Sequence, residues 1–222
     1  MANVEPPAAH SRTPVLTTLP AGTVLFRVHQ KVFPAGSFNP VPSHRYYGGG
    51  RFDATDDDAY PYLYAGESID VAVAETLLRD LYPNDTGTRE LPRPKVDGRR
   101  ISSIEVTTPV VLVSLCSGVD LGAVAQDTWL TTCDPRDYAQ SRHWAHWIRS
   151  RAMTTAGYAW LSRREPGALS YVLFGDRLPG GAIRTIADPR LPPGAEADFD
   201  TPRGRRALRN RLAHYNVALA RR

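Results

Sequence analysis

The alternation of apolar and polar positions along the chain predicts a series of short strands. Stretches rich in β-branched and aromatic residues, bounded by proline, glycine and charged residues, are typical of strands. Six stretches meet this description: residues 23–29, 60–65, 101–106, 110–115, 158–162 and 170–174. Pro109 separates the third from the fourth and favours an edge or a change of sheet position there. The last two flank the turn-forming residues 163–167 and are predicted to pair as a hairpin.

Three other segments have the periodicity of amphipathic helices. The first begins after Ser68, a plausible N-cap, and keeps its apolar spacing until Pro83. The second covers residues 137–153. The third opens at Thr201-Pro202 and carries an apolar stripe between its arginines, formed by Leu208, Leu212, Tyr215 and Leu219. Together the strands and helices predict the α/β (α+β) class, with a single compact domain and a C-terminal basic helix.

The order of these segments predicts three parts. Residues 1–22 are rich in proline, alanine and threonine and are expected to form a flexible arm, residues 23–178 the main domain, and residues 179–222 a linker followed by the arginine-rich helix. No stretch approaches the roughly 18 consecutive apolar residues of a membrane span, and the first residues do not resemble a signal peptide. We therefore expect a cytoplasmic protein that makes no contact with a membrane.

Charge and cysteine content narrow the function. The formal charge is +4, but seven arginines and no acidic residue lie between Arg203 and Arg222, so the rest of the chain is slightly acidic. A nucleic acid is therefore not expected as a direct partner of the main domain. The two cysteines, Cys116 and Cys133, have no spacing that indicates a disulfide framework or a zinc site. His143 and His146 are three positions apart on a predicted helix without a further ligand nearby, which favours packing over a metal site.

Four features could carry chemistry. Arg51 follows the Gly48–Gly50 run, where a guanidinium could bind phosphate or carboxylate, although a surface turn with a solvated arginine explains the same pattern. Tyr64 ends a predicted strand and could stack on a planar base, or it could belong to the core. Glu75 lies beside the apolar stripe of its helix, where a carboxylate needs a partner or a task. The alternative is a surface ion pair with Arg79, four residues on.

The fourth feature is Ser162, which ends a predicted strand and could orient an arginine or a ligand, although serine is common before a turn. The chain has no GxGxxG, GxxxxGK[ST], HExxH or GxSxG pattern. An enzyme would therefore have to use its arginines, tyrosines and the one well-placed glutamate.

These residues, in their order along the chain, resemble the RES domain. The similarity runs from Thr23 to Arg177 and rests on five short motifs: Phe26-Arg27, Gly49-Gly50-Arg51-Phe52, Tyr62-Leu63-Tyr64-Ala65, Ala72-Val73-Ala74-Glu75, and Trp160-Leu161-Ser162-Arg163 ahead of Ser170-Tyr171-Val172-Leu173-Phe174. The run of aspartates between Asp53 and Asp58 departs from the family pattern, in which a short polar turn is usual. The resemblance implies a fold similar to ADP-ribosyltransferase toxins.

The resemblance also implies an activity and partners. Members of the family break the nicotinamide–ribose bond of NAD and are typically toxins neutralised by an Xre-type antitoxin. On the family pattern the functional positions are Arg51, Tyr64, Glu75 and Ser162, with Arg27 as a further residue of the cleft. NAD then enters as the substrate, with no separate cofactor and no metal. Cleavage of an N-glycosidic bond passes through an oxocarbenium-like state, for which Glu75 is the expected stabiliser and Arg51 with Arg27 the expected pyrophosphate ligands.

Three functions stay open at this point. An NAD glycohydrolase or phosphorylase would transfer the ribosyl group to water or phosphate. An ADP-ribosyltransferase would use the same cleft with a protein or nucleic acid as the acceptor. A non-enzymatic basic module would bind an acidic partner or nucleic acid through the C-terminal helix, whose apolar stripe would also suit a homo-oligomer. The simplest alternative is that this helix folds back onto the domain. Either enzyme requires that the side chains of Glu75 and Arg51 line the same cavity.

Overall fold

The computed structural model describes residues 5–191 and 197–220. The strands in these ranges are β1 (Leu16–Leu19), β2 (Val24–Gln30), β3 (Tyr62–Gly66), β4 (Arg89–Leu91), β5 (Arg99–Val106), β6 (Val110–Leu115), β7 (Gly157–Leu161), β8 (Leu169–Phe174), β9 (Ile183–Ile186) and β10 (Val217–Leu219). The α-helices are α1 (Ile69–Val73), α2 (Gly118–Ala123), α3 (Trp129–Thr132), α4 (Tyr138–Arg151) and α5 (Pro202–His214). Short 3-10 turns cover Arg93–Lys95 and Pro135–Asp137. The predicted α/β (α+β) class, with a basic C-terminal helix, is confirmed.

One large sheet organises the molecule. Eight strands pair in the order β1-β6-β7-β8-β3-β2-β5-β9, and β4 pairs in parallel with β10 in a separate ribbon. The predicted hairpin of β7 and β8 is present, with Trp160 opposite Ser170 and Leu161 opposite Leu169. In the large sheet β6 and β7 run parallel, whereas the neighbouring pairs are antiparallel. The chain therefore returns to the sheet through helix α4 between these two parallel strands.

The sheet must curl, because β5 and β6 are consecutive in the chain but far apart in the strand order. In a flat sheet their separation would be about 24 Å at roughly 4.8 Å per strand. The link from Val106 to Val110 can reach only about 14 Å. The inside of the curl holds an apolar core contributed by seven strands, which includes Leu25, Leu63, Ile104, Leu112 and Leu173.

Two further cores lie on the outside of the curl. Helix α4 packs Trp144 and Ile148 against Tyr158 and Phe174 of the sheet. In the second of these outer cores, Leu208 and Leu212 of α5 pack with α1 and β2. The C-terminal helix is therefore folded onto the domain, and Arg203, Arg206 and Arg209 lie exposed on its outer face. Within the described residues no helix is long and apolar enough to cross a membrane.

The two ends of the chain differ from the sequence prediction. Leu16–Leu19, in the predicted flexible arm, pairs with β6 as β1. Ile183–Ile186, in the predicted linker, pairs with β5 as β9. Both segments are short and lack a clear alternating pattern, and they are ordered because each covers the unpaired backbone of an edge strand. Residues 1–4, 192–196 and 221–222, which belong to the predicted arm, linker and tail, lie outside the described residues.

The helix predicted from Ser68 changes its geometry at the candidate glutamate. The Ser68 side chain accepts a hydrogen bond from the Val71 N–H (3.1 Å) and caps α1 as expected. After Val73 the chain continues as a π-helical turn over Ala74–Leu78. Such turns shift the side chains that follow around the helix axis and occur often at functional sites. Glu75 lies in this turn.

Candidate active site

A cavity of about 480 Å³ opens between the curled sheet, the π-helical turn and the start of α4. Its volume lies in the usual range for small-molecule sites. Four of the residues singled out from the sequence line it: Arg27, Arg51, Tyr64 and Glu75. The predicted glutamate and the arginine after the glycine run therefore face the same hollow, as an enzyme of either kind would require.

The Glu75 carboxylate is fixed on one side. Its Oε1 accepts hydrogen bonds from Ser162 Oγ (2.5 Å) and from the Arg163 N–H (3.1 Å). In the described part of the chain both bonds go to Oε1, which leaves Oε2 for a ligand. The alternative pair with Arg79 is not formed, because the Arg79 guanidinium binds Asp80 instead (3.1 Å). Glu75 thus presents an oriented carboxylate to the cavity.

Ser162 differs from its predicted role. It is buried and does not line the cavity, so it is not placed to contact a substrate. Its Oγ donates to Glu75 and accepts the N–H groups of Arg164 (3.2 Å) and Glu165 (3.0 Å). The sequence suggested that this hydroxyl could hold an arginine or a ligand. In the folded chain its side-chain donor is used to position the glutamate.

Arg51 is held at the cavity wall by the glycine run and by α4. Gly48 and Gly49 have φ angles of 66° and 70°, which glycine adopts without strain. The Arg51 guanidinium carbon lies 5.2 Å from the centre of the Tyr138 ring, and the side chain is buried. Its Nε has no hydrogen-bond partner, and among the described residues no carboxylate pairs with it. A buried cation of this kind has an unfilled requirement for an anion.

Arg142 supports the same loop and was not singled out from the sequence. Its guanidinium donates to the carbonyl oxygens of Gly48 (2.8 Å), Gly50 (3.3 Å) and His44 (2.8 Å). The side chain is 1% exposed. In the sequence, its position on the buried face of α4, close to Trp144 of the core, indicated only weakly that this arginine is buried.

Arg27 lies on β2 at the opposite wall. Its Nη1 donates to the carbonyl oxygens of Ala35 and Ser37, both at 2.8 Å, and so holds the irregular segment after β2 against the sheet. Burial lowers the pKa of Arg27 to about 10. The guanidinium is therefore still charged at neutral pH, and its Nε has no partner. Arg27 can bind a ligand while it shapes the cavity edge.

Tyr64 is fixed by Asp53, the first residue of the aspartate run that departs from the family pattern. Its hydroxyl donates to Asp53 Oδ1 (2.8 Å) and accepts the Phe52 N–H (2.9 Å). Burial, reinforced by the Asp53 charge, holds the pKa of the phenol well above its usual range. The Asp53 carboxylate also accepts from Ser43 Oγ (2.5 Å) and from the Gly50 N–H (2.6 Å). Asp53 thus connects the glycine run, the preceding segment and Tyr64.

The charged lining of the cavity is strongly positive. Four arginines, Arg27, Arg51, Arg79 and Arg99, face one glutamate. The Nε atoms of Arg27, Arg51 and Arg99 are buried without a partner. This surplus of cationic donors suits a ligand with two or more negative charges, such as a pyrophosphate. In the described ranges no cluster of histidine, cysteine, aspartate and glutamate could hold a metal ion.

Comparison with known proteins agrees with this architecture. No curated protein matches the chain. Among solved structures, a chain of the crystal structure of the M. tuberculosis MbcT–MbcA toxin–antitoxin complex has a similar fold, with a TM-score of 0.53 and 16% sequence identity, over 77% of this chain and 84% of that chain. The model of the RES domain matches residues 24–195, which include every strand of the large sheet except β1. The resemblance noted in the sequence is thereby confirmed, and this chain belongs to the RES domain family.

Proposed function

We propose that this chain cleaves the nicotinamide–ribose bond of NAD. The observation that carries the proposal is the shared cavity, in which the oriented Glu75 carboxylate faces the guanidinium of Arg51, whose Nε has no hydrogen-bond partner. NAD combines an anionic pyrophosphate with a ribose whose C1′ becomes positively charged during cleavage. The cavity offers a cationic wall and a single carboxylate, which match these two requirements.

Each residue then has a defined task. Arg51 and Arg27 bind the pyrophosphate, and Tyr64 packs beside the nicotinamide ring. The free Oε2 of Glu75 stabilises the oxocarbenium-like ribose and accepts a hydrogen bond from its 2′-hydroxyl. The C1′–N bond breaks with its electron pair moving to the ring nitrogen, so that neutral nicotinamide leaves. An oxygen of water or phosphate bonds to C1′, and its proton passes to the solvent.

The direct test is the release of nicotinamide from NAD, followed by chromatography with and without phosphate. We expect turnover in the wild type and a loss of about 10²- to 10³-fold in Glu75→Gln. Glu90→Gln is the matched control, because Glu90 is exposed on β4 and does not line the cavity. Thermal unfolding of both variants checks that the fold is retained. Absence of nicotinamide release under every condition would contradict the proposal, and ADP-ribose attached to protein or nucleic acid would show transferase chemistry instead.

An enzyme of this kind would act as the toxin of a toxin–antitoxin pair. A similar solved structure is that of a toxin–antitoxin complex, and depletion of NAD is harmful to any cell. The partner would be an antitoxin protein that blocks the activity. Induced expression of the wild type in bacteria is expected to lower cellular NAD and arrest growth, whereas Glu75→Gln should allow growth at the same protein level. Equal growth of the two strains at equal expression would refute a toxin role.

A further inference from the structure

Two polar side chains in the cavity wall have no partner in the described structure. They are Trp160, whose indole Nε1 is unpaired, and Ser170, whose Oγ is unpaired. Both residues line the cavity, and both are 2% exposed. A buried polar group without a hydrogen bond destabilises the fold, so such groups are rare in native structures and need an explanation. A ligand in the cavity would provide one.

The two groups form a preorganised pair. Trp160 on β7 lies directly opposite Ser170 on β8, so both side chains project from the same face of the sheet, with Cβ atoms roughly 5 Å apart. The Trp160 ring is fixed by edge contacts to the rings of Phe52 (5.0 Å) and Tyr64 (6.2 Å). The pair therefore offers one fixed N–H donor beside one hydroxyl that can donate or accept.

This combination matches a neutral carboxamide. The carbonyl oxygen of a carboxamide accepts from the indole N–H, and its amino group donates to the serine oxygen. Phosphate is a poor match, because the pair carries no positive charge and the cationic wall offers better ligands.

The position of Trp160 and Ser170 indicates which carboxamide they would bind. Ser162 directly follows β7, two residues after Trp160, and its N–H bonds to the Ala168 carbonyl of the hairpin (2.8 Å), so Trp160 and Ser162 lie on the same face, roughly 7 Å apart. Ser162 is bonded to the Glu75 carboxylate, which the proposed function assigns to the ribose C1′. The group attached directly to C1′ is the nicotinamide ring, so its carboxamide falls at this distance from the glutamate.

We infer that Trp160 and Ser170 form the subsite that binds the carboxamide of the nicotinamide ring. This inference rests on the proposed function and adds two residues that the family resemblance did not assign. It also differs from the sequence expectation that Ser162 could orient a ligand, because the ligand contact is assigned to the neighbouring cross-strand pair.

The first experiment compares NAD with its 3-acetylpyridine analogue, in which a methyl group replaces the carboxamide nitrogen. In Ser170→Ala the ratio of kcat/KM for NAD to that for the analogue should fall about tenfold relative to wild type, because the partner of the amino group is gone. In Trp160→Phe the kcat/KM values of both substrates should fall by about the same factor, since both keep the carbonyl oxygen. Ser103→Ala and Trp144→Phe are matched controls, buried residues that do not line the cavity, and should leave the ratio unchanged.

The second experiment measures the binding of free nicotinamide by calorimetry. We expect Ser170→Ala and Trp160→Phe to bind it at least about tenfold more weakly than wild type and the two controls. If the wild type cleaves no NAD but nicotinamide binding depends on Ser170, the proposed reaction fails and the subsite stands. If NAD is cleaved with an unchanged substrate ratio in Ser170→Ala, the subsite fails alone. Failure of the wild type to bind nicotinamide would also overturn it.

Discussion

Asp53 provides a sharp test of how the glycine run is held. The carboxylate is 4% exposed and accepts three hydrogen bonds, from Ser43, Gly50 and Tyr64. Asp53→Asn keeps the size of the side chain but removes the charge and replaces one acceptor oxygen by an NH₂ group. The Gly50 N–H can only donate, so the amide must turn its NH₂ group toward the Tyr64 hydroxyl, which already accepts the Phe52 N–H.

The magnitude follows from these bonds. A hydrogen bond to a charged group contributes about 1.5–3 kcal/mol, against about 1 kcal/mol for a neutral one. Each of the two retained bonds loses about 0.5–2 kcal/mol with the charge and the third bond is lost altogether, so the free energy of unfolding should fall by about 2.5–7 kcal/mol. For a chain of this size a loss of 1 kcal/mol lowers the melting temperature by about 2–4 °C, so the melting temperature should fall by at least about 5 °C. Because Gly50 precedes Arg51, we also expect the KM for NAD to rise about tenfold.

The assay is thermal unfolding by circular dichroism, combined with nicotinamide release at several NAD concentrations. Asp57→Asn is the matched control, since Asp57 lies in the same loop but is 46% exposed and pairs with Arg45. An exposed ion pair contributes at most about 1 kcal/mol, so this variant should melt close to the wild type. The explanation would be refuted if Asp53→Asn melted within about 1 °C of Asp57→Asn, a difference too small for loss of a buried charged network.

Three further predictions concern other parts of the chain. Ser162→Ala should keep the fold and reduce kcat for NAD about tenfold, a smaller loss than in Glu75→Gln, because it leaves the glutamate in place but no longer orients it. An equal loss of nicotinamide release in both variants would argue against a positioning role. Burial, aided by nearby arginines, lowers the pKa of His29 from 6.5 to about 4. As the pH falls from about 6.5 to about 4, His29 is therefore protonated in the unfolded chain but not in the folded one, and the free energy of unfolding should decrease. A urea midpoint whose decrease over this range is the same in His29→Gln would contradict that assignment. Gly157→Ala should destabilise by more than about 2 kcal/mol, because its Cβ would lie 2.0 Å from a strand carbonyl oxygen, whereas Gly118→Ala has open space and should be near neutral by the same denaturation assay.

The sequence determined the local elements and the family. Apolar spacing and capping residues act within a few positions, so the hairpin around residues 163–167, the N-cap at Ser68 and the helix after Thr201 could be predicted without tertiary information. The same applies to the five motifs of the RES domain. That Arg27, Arg51, Tyr64 and Glu75 share a cavity was an expectation from that resemblance, and the geometry agrees with it.

Only the tertiary structure decided which neighbours these residues meet. Asp53 is buried while Asp56 and Asp57 are exposed, although nothing in the local sequence separates them. Ser162 reaches Glu75 across 87 positions, and Trp160 faces Ser170 only because of the strand register. Hydrogen bonds and burial depend on distances between segments that are remote along the chain. Local pattern does not encode those distances, whereas the curl of the sheet fixes them.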